Sequence, residues 1–327
     1  MLLIYTHRAG LSGEDLNGVV QFSRLAGLRA GLDALGITYQ HQPESLPQEG
    51  DTVVVLSDTE VLRQMINRKR SGCSFLLVAG PIMELEDTHR TGLKGLLAEA
   101  EDPTNPMSLL SELDSILADP EVDAVLTAGF WAKAGWRFCS PSLSNKIHEW
   151  RAGVDTRYWD GNSMPEPGRI LLYEKRKPVF ANKVKAGLEE AGYQVDMIHY
   201  GKYRKEELRE ALRHCESAVV LSQRETQGIA LAEMWAMNVP TLCWDNFHTE
   251  FNGILVPSSS CPYLTSQTGW RWRNLPELLQ VLKWSQPNLY APREWVSRNM
   301  SHEVSAELLL DLLRRLGSAE YNGSLPT

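Results

Sequence analysis

Short apolar runs alternate with helical stretches twice along the chain, and this alternation constrains the fold more than any other feature of the sequence. The predicted strands of the first half are 2–6, 52–56, 75–79 and 124–127, with a helix over 16–35. The pattern restarts in the second half with strands at 169–173, 194–198, 217–221 and 241–244 and helices at 179–191, 205–213 and 228–237. Strands that alternate with helices form a parallel sheet covered on both faces. The sequence therefore predicts two doubly wound α/β domains.

The length supports a division into two domains. The chain has 327 residues, more than a single core usually organises. A polar stretch rich in proline and glycine, 160–168, lies between the two patterns and is the predicted linker. We expect an N-terminal Rossmann-like domain over 1–159, a second over 160–291, and a terminal segment, 292–327, that contains an amphipathic helix and a polar tail.

Composition excludes several classes of protein. The net charge of −8 gives no electrostatic footprint for nucleic acid, and at most a peripheral contact with a membrane is expected. Five cysteines without a CxxC pair argue against a disulfide framework and a structural zinc site. No run of 18 apolar residues occurs, and the N-terminal residues lack the basic start of a signal peptide. We therefore expect a cytoplasmic protein.

Two glutamates, Glu225 and Glu233, lie eight positions apart with Gly228 between them, directly after the predicted strand 217–221. This order indicates a strand, a tight turn and the start of a helix. A glycine at the turn lets a ligand approach the backbone, and the N–H groups at the start of a helix suit a diphosphate. The two carboxylates would then accept hydrogen bonds from hydroxyl groups.

This arrangement resembles the Glu, seven residues, Glu signature of the retaining GT-B glycosyltransferases. The turn Asn238-Val239-Pro240 and the segment Gly153-Val154-Asp155 are also similar to that family, and the resemblance covers roughly residues 150 to 310. It implies the GT-B fold, with two doubly wound Rossmann-like domains that face a cleft and a C-terminal helix that crosses back to the N-terminal domain. The co-substrate that it implies is a nucleotide diphosphate sugar, with no other cofactor.

The resemblance also implies roles for the residues around the turn. Glu233 would bind the ribose hydroxyls of the donor, and Glu225 would bind the hydroxyls of the transferred sugar. Thr226 and Gln227 depart from the glycine and phenylalanine that the family usually has. The donor-binding residues expected here are Ser222, Thr226, Gln227, Gly228 and Glu233.

Positive charge for the diphosphate is expected from Lys175, which follows the strand 169–173. Arg176 and Lys177 are alternates in the same run, and a solvated charged run is the other interpretation. The chain has no Asp-x-Asp motif, so protein cations and a helix N-terminus, with no metal, would stabilise the leaving group.

Weaker signals fall on loops and aromatic residues. The family usually has a histidine near the transferred sugar, for which we take His89, with His7 as the alternative; each is also a plausible solvated loop residue. Gly13 would shape a loop that faces the phosphates. Tyr203 would contact the nucleobase or be a structural tyrosine. Trp131 and Trp136 are near glycines, and Trp270 and Trp272 flank Arg271. Sugar rings stack on such aromatic faces, and the first pair would line the acceptor site or fill a core.

The sequence thus predicts a retaining glycosyltransferase. It would move a hexose, without a metal, from a nucleotide diphosphate sugar to a hydroxyl of a glycan, a lipid-linked acceptor or a small molecule. The alternatives are a GT-B nucleotide-sugar epimerase and a non-catalytic GT-B subunit that binds a nucleotide sugar or a glycan.

Overall fold

The structure, a computed structural model, describes residues 1–6, 20–56, 58–80, 84–85, 90–91, 114–162, 164–175, 180–251 and 254–317. The chain forms two compact units. The first comprises Met1–Arg151, Phe251–Ile254 and Ser305–Thr327, and the second comprises Ala152–Glu250 and Leu255–Val304. Residues 160–168 and 292–304 belong to the second unit.

The first unit contains a parallel sheet of six strands. The strands are β1 (Leu2–Thr6), β2 (Tyr39–His41), β3 (Thr52–Leu56), β4 (Leu76–Ala79), β7 (Ala124–Thr127) and β8 (Ile147–Glu149), and a small antiparallel pair is formed by β5 (Glu84–Leu85) and β6 (Arg90–Thr91). The order in the large sheet is β2-β1-β3-β4-β7-β8. The helices of this part are α1 (Val20–Ala34), α2 (Thr59–Arg70) and α3 (Gly129–Cys139).

Alternate residues of the central strands enter two separate cores, one on each face of this sheet. Leu3, Val53 and Leu77 belong to one core. Ile4 and Val54 belong to the other. All five residues of β1 and of β3 are buried, as expected for parallel strands covered by helices on both faces.

The second unit repeats this architecture with five parallel strands. They are β9 (Arg169–Glu174), β10 (Gln194–His199), β11 (Ser217–Leu221), β12 (Thr241–Trp244) and β15 (Gly269–Trp272), in the order β10-β9-β11-β12-β15. A two-stranded ribbon consists of β13 (His248–Phe251) and β14 (Ile254–Pro257). The helices are α4 (Ala181–Glu190), α5 (Lys205–His214), α6 (Ile229–Ala236), α7 (Leu275–Trp284) and α8 (Pro292–Asn299).

Helix α6 lies in the core of the second unit, because six of its eight residues are buried. Helix α8 packs against it, and the rings of Trp235 and Trp295 meet edge to face with centroids 5.3 Å apart. The guanidinium of Arg293 donates hydrogen bonds to the carbonyl oxygen of Ala236, the last residue of α6, and to that of Trp159. Helix α6 is therefore fixed at its C-terminal end.

The segment around Gly153 packs closely against the start of the last helix, α9 (His302–Arg315). A Cβ atom added to Gly153 would lie 2.7 Å from the Cα of His302, so no larger residue fits. From Ser305 onward α9 belongs to the first unit, where Leu309 and Leu313 enter the core. The indole of Trp150 donates to the carbonyl oxygen of Ser305 at 2.9 Å.

The two parallel sheets confirm the predicted α/β class, and several predicted strands agree with the structure to within one residue. Other elements were not predicted, namely helices α2, α3 and α7 and strands β2, β5, β6, β8, β13, β14 and β15. Trp131 and Trp136, considered for an acceptor site, lie on α3 with both side chains buried in the core of the first unit. Within the described ranges, no helix has both the length and the apolar character that crossing a bilayer requires.

Candidate functional site

The carboxyl ends of β9 and β11 form the point at which the strand order of the second sheet reverses. The chain runs from β9 outward to β10 and then crosses to β11 on the other side of β9. In open α/β sheets, ligands bind outside the carboxyl ends of the strands at such a topological switch point. Lys175 directly follows β9, and Ser222 directly follows β11.

Lys175 and Glu225 form a buried ion pair at this edge. The ammonium donates to Oε1 of the carboxylate at 2.6 Å and to Oε2 at 2.5 Å. Both residues are buried, with 5% and 8% of their surface exposed. The same ammonium lies 4.3 Å from the ring centroid of Tyr200, within the range of a cation–π interaction. Lys175, which was expected to bind the diphosphate, and Glu225, which was expected to bind the transferred sugar, are therefore in direct contact.

The turn that carries Glu225 is tied to the segment 259–263. The backbone N–H of Glu225 donates to the carbonyl oxygen of Ser259 at 2.8 Å. The hydroxyl of Tyr263 donates to Oε1 of Gln227 at 3.0 Å. Ser222 donates from its hydroxyl to the carbonyl oxygen of Arg224 at 3.1 Å, which closes the start of the turn. These contacts fix the path of the backbone between β11 and α6.

Gly228 is the N-cap of α6 and has a left-handed conformation, with φ 61° and ψ 39°. An L residue is strained there, and an added Cβ would also lie 3.1 Å from a methyl carbon of Leu231. No side chain caps the helix. The first N–H groups of α6 thus begin at the edge where Lys175 and Glu225 lie. Thr226, in the same turn, is partly exposed.

Glu233 lies in the second turn of α6 and is 8% exposed. Burial raises the pKa of its carboxyl to about 7, although the nearby ammonium of Lys205 acts in the opposite direction. No residue in the described part of the chain donates a hydrogen bond to this carboxylate. A buried carboxyl group without a donor is costly in its ionised form, so Glu233 is suited to accept hydrogen bonds from a ligand.

Three tyrosines surround this edge. The hydroxyls of Tyr173 and Tyr203 are 3.3 Å apart, and burial raises the pKa of both phenols above the usual range. Tyr203 is thus held by a structural contact, with its ring partly buried against the core. Tyr200 is more accessible, with 38% of its surface exposed.

Four predicted site residues lie outside the residues that the structure describes, namely Gly13, His89, Arg176 and Lys177. His7, the alternative to His89, also lies outside them. In the described part of the chain, no group of three His, Cys, Asp or Glu side chains is arranged to hold a metal ion.

Sequence reasoning missed three contacts of this site. Tyr200 was overlooked although it follows a strand in the same segment as Tyr203, and its position after β10 was an available signal. Ser259 and Tyr263 lie more than thirty residues beyond the turn that they support, and no local pattern indicates that contact.

No protein-family model and no curated protein sequence matches this chain. Several solved structures are similar in fold. A sucrose-phosphate synthase from Thermosynechococcus elongatus matches with a TM-score of 0.61 and 12% identity, over 98% of this chain and all of that chain (100%). A glycosyltransferase from Rickettsia africae matches with a TM-score of 0.59 and 13% identity, over 96% and 98% of the two chains.

HepE from Anabaena, in complex with UDP, is also similar, with a TM-score of 0.54 and 8% identity over 96% of this chain and 100% of that chain. With two doubly wound parallel sheets in common with such glycosyltransferases, the chain has the GT-B fold, which confirms the fold prediction. At these identities the similarity extends to the fold, and the activity has to be argued from the site.

Proposed function

We propose that this protein is a retaining glycosyltransferase that transfers a hexose from a nucleotide diphosphate sugar to an acceptor hydroxyl without a metal. The observation that supports the proposal is the convergence of three features at one switch point: the Lys175 ammonium, the Glu225 carboxylate and the uncapped start of α6 at Gly228. A cation and a helix N-terminus suit a diphosphate, and carboxylates suit the hydroxyls of a sugar and a ribose.

In the proposed reaction, the oxygen of the acceptor hydroxyl forms a bond to the anomeric carbon while the bond from that carbon to the diphosphate oxygen breaks. The hydroxyl proton passes to the departing diphosphate. Attack from the face that the diphosphate leaves retains the anomeric configuration, and no separate general base is needed.

Lys175 would exchange partners during donor binding. The diphosphate would draw the ammonium away from Glu225, and hydroxyls of the transferred sugar would take its place at that carboxylate. Lys175 and the N–H groups of α6 would then stabilise the negative charge that develops on the leaving group. Glu233 would accept hydrogen bonds from the ribose hydroxyls.

The Lys175–Glu225 contact also favours a second candidate, a non-catalytic subunit that binds a nucleotide sugar. In that case the ion pair would be a permanent structural element, and the diphosphate would be held by other groups. The two candidates differ in whether Lys175 stabilises a leaving group.

The deciding experiment measures nucleotide release by the full chain from a panel of nucleotide diphosphate sugars, each with and without mixed saccharide acceptors. We expect release from one donor and a loss on the order of 100-fold in Lys175→Gln, because Lys175 stabilises charge that develops only during the reaction. Binding of a donor without any release would instead favour the non-catalytic subunit.

Two further measurements on the active pair test the finer claims. NMR of the product should show the anomeric configuration of the donor, and an inverted product would overturn the retaining mechanism. Saturating EDTA should leave the rate nearly intact. A complete loss that manganese restores would contradict metal independence.

A further inference from the structure

The second unit contains an open cavity of about 410 Å³ beside the edge strand β15. This volume is within the usual range of ligand pockets, ~300–1,000 Å³. The residues that line it include three aromatic residues, two arginines and two carboxylates, namely Phe247, Trp270, Trp272, Arg271, Arg273, Asp245 and Glu277. None of these residues belongs to the proposed donor site.

Two of the three aromatic residues that line this cavity are exposed, and the third, Trp272, is buried. Phe247 is 46% and Trp270 is 42% exposed, whereas most tryptophans of the chain are buried. Trp284 packs edge to face on Trp270, with centroids 5.2 Å apart, which holds the Trp270 ring in place. Phe247 has a φ of 62°, a conformation that is uncommon for any residue other than glycine. An exposed, fixed indole offers the flat apolar face on which a sugar ring can stack.

Two arginines and two carboxylates line the cavity. Asp245 is buried and forms an ion pair with Arg271, and the Glu277 carboxylate accepts a hydrogen bond from the backbone N–H of Arg273. The guanidinium of Arg273 stands 5.9 Å from the ring centroid of Phe247 and donates no hydrogen bond to a residue of the described ranges. The guanidinium of Arg271 lies 5.4 Å from the same ring. Among the described residues it forms an ion pair with Asp245 and donates to the carbonyl oxygen of Cys261, both at 3.4 Å. A planar guanidinium with open donors matches a carboxylate or a phosphate.

We propose that this cavity binds a saccharide that carries a carboxylate or a phosphate group. Trp270 would stack on the sugar ring, and Arg273 would bind the anionic group. The concave shape favours a ligand that enters the cavity over a membrane surface, against which a protruding apolar patch would be expected. This binding does not depend on the proposed transferase activity.

The segment 259–264 connects the cavity to the proposed donor site. The hydroxyl of Ser259 donates to Asp245 of the cavity at 2.7 Å, and its carbonyl oxygen accepts from the backbone N–H of Glu225. Leu264 lines the cavity, and its neighbour Tyr263 donates the hydrogen bond to Gln227. The segment 259–264 therefore contacts the turn of Glu225 on one side and the proposed saccharide site on the other.

The test is binding of trigalacturonate and glucose 6-phosphate to the full chain, measured by saturation-transfer NMR and calorimetry, with maltotriose as the neutral comparison. We expect at least one anionic probe to bind at millimolar or lower concentration and maltotriose to bind more weakly. Trp270→Ala and Arg273→Gln should each weaken anionic binding on the order of tenfold. Matched exposed variants elsewhere, Phe130→Ala and Arg298→Gln, should leave it unchanged.

Circular dichroism and the unfolding temperature verify that each variant is folded. Failure of both anionic probes at millimolar concentration, or equal affinity in Arg273→Gln and wild type, would overturn the proposal. The membrane alternative is tested with phosphatidylglycerol vesicles. If neither saccharide binds, and Trp270→Ala and Arg273→Gln lose binding to these vesicles, the cavity is a membrane contact and the proposal is overturned.

Discussion

Glu225 and Glu233 are equally buried, with 8% of each residue exposed, but their carboxylates differ in hydrogen-bond donors. The Glu225 carboxylate receives two hydrogen bonds from the Lys175 ammonium. No described residue donates to Glu233, and burial raises its pKa to about 7. The comparison shows that a partner, more than the degree of burial, decides how well a buried carboxylate tolerates its charge.

Because of this difference, a ligand would affect the two carboxylates differently. Glu225 already has an ionic partner, so a ligand must replace that partner. Glu233 has a buried charge that is costly near neutral pH, and hydroxyl donors would reduce that cost. A nucleotide bound at Glu233 should therefore stabilise the protein more at pH 7 and above than at acidic pH.

The largest expected effect comes from breaking the ion pair. Lys175→Met should lower the free energy of unfolding by roughly 3–5 kcal/mol, because it removes the ammonium and leaves the Glu225 carboxylate buried. Urea denaturation measures this change. The double variant Lys175→Met/Glu225→Leu should recover most of the loss, since replacing both members of a buried pair by apolar residues is often close to neutral.

The matched control is an exposed ion pair in the same unit, formed by Arg298 and Glu294. Arg298→Met should change stability by about 1 kcal/mol or less, because exposed pairs contribute little. Equal effects of Lys175→Met and Arg298→Met would show that the buried pair is not a distinct feature of the site.

The second effect is the dependence of stability on pH from Glu233. The folded-state pKa of about 7 lies above the ordinary value of 4.5, so the folded protein binds this proton more tightly than the unfolded chain. Stability from this group is greatest below pH 4.5 and is lost as the pH rises through about 7. The total is about 3 kcal/mol, from the difference between the two pKa values.

Comparison of wild type with Glu233→Gln isolates this contribution from the other titrating groups. The difference in free energy of unfolding, wild type minus variant, should fall as the pH rises between roughly 4 and 8. Glu294→Gln, on the exposed surface of α8, should give a flat difference. A flat difference for Glu233→Gln would mean that Glu233 titrates like an ordinary exposed carboxylate.

The third effect concerns nucleotide binding and extends the comparison to the ligand. Glu233→Ala should weaken the nucleotide that binds best in the donor panel by ten- to a hundredfold, since charge-assisted hydrogen bonds contribute roughly 1.5–3 kcal/mol. Wild-type affinity should also increase as the pH rises through about 7, because ligand hydroxyls bind the ionised carboxylate. Calorimetry at several pH values measures both quantities.

Glu294→Ala serves as the control for a lost surface carboxylate and should not affect affinity. Unchanged affinity in a folded Glu233→Ala protein would remove Glu233 from the binding site. An affinity that is independent of pH would instead mean that the nucleotide binds the protonated carboxyl equally well.

The sequence predicted the elements that carry both glutamates but not the contact that distinguishes them. The apolar run of β11 and the glycine that follows determine a strand, a turn and a helix start within twelve residues, and such local signals can be read directly. The Lys175–Glu225 contact joins residues fifty positions apart. It depends on β9 and β11 being neighbours in the sheet, which periodicity does not reveal.

Burial of Glu233 was equally hidden in the sequence. A glutamate in a helix is usually exposed, and its surroundings depend on how α6 packs. Helix α8, more than fifty residues later, covers α6 with Trp295 and holds its end with Arg293. Trp131 and Trp136 show the same limit, because no local sequence pattern distinguishes an aromatic residue in a core from one in a binding site.

The smallest expected effect comes from Gly228, whose conformation separates the turn of Glu225 from the helix of Glu233. Gly228→Ala should lower stability by roughly 1–2 kcal/mol, because φ is 61° there and an L residue is strained in that region. Gly36→Ala is the matched control, since φ is 67° and nothing lies within 4 Å of an added Cβ. The excess loss at Gly228 would measure the contact with Leu231.

Nucleotide affinity should fall only in Gly228→Ala, because the first N–H groups of α6 would be displaced from the diphosphate position. If both alanine variants lost the same stability and neither lost affinity, the turn would not need its left-handed glycine to orient the two carboxylates.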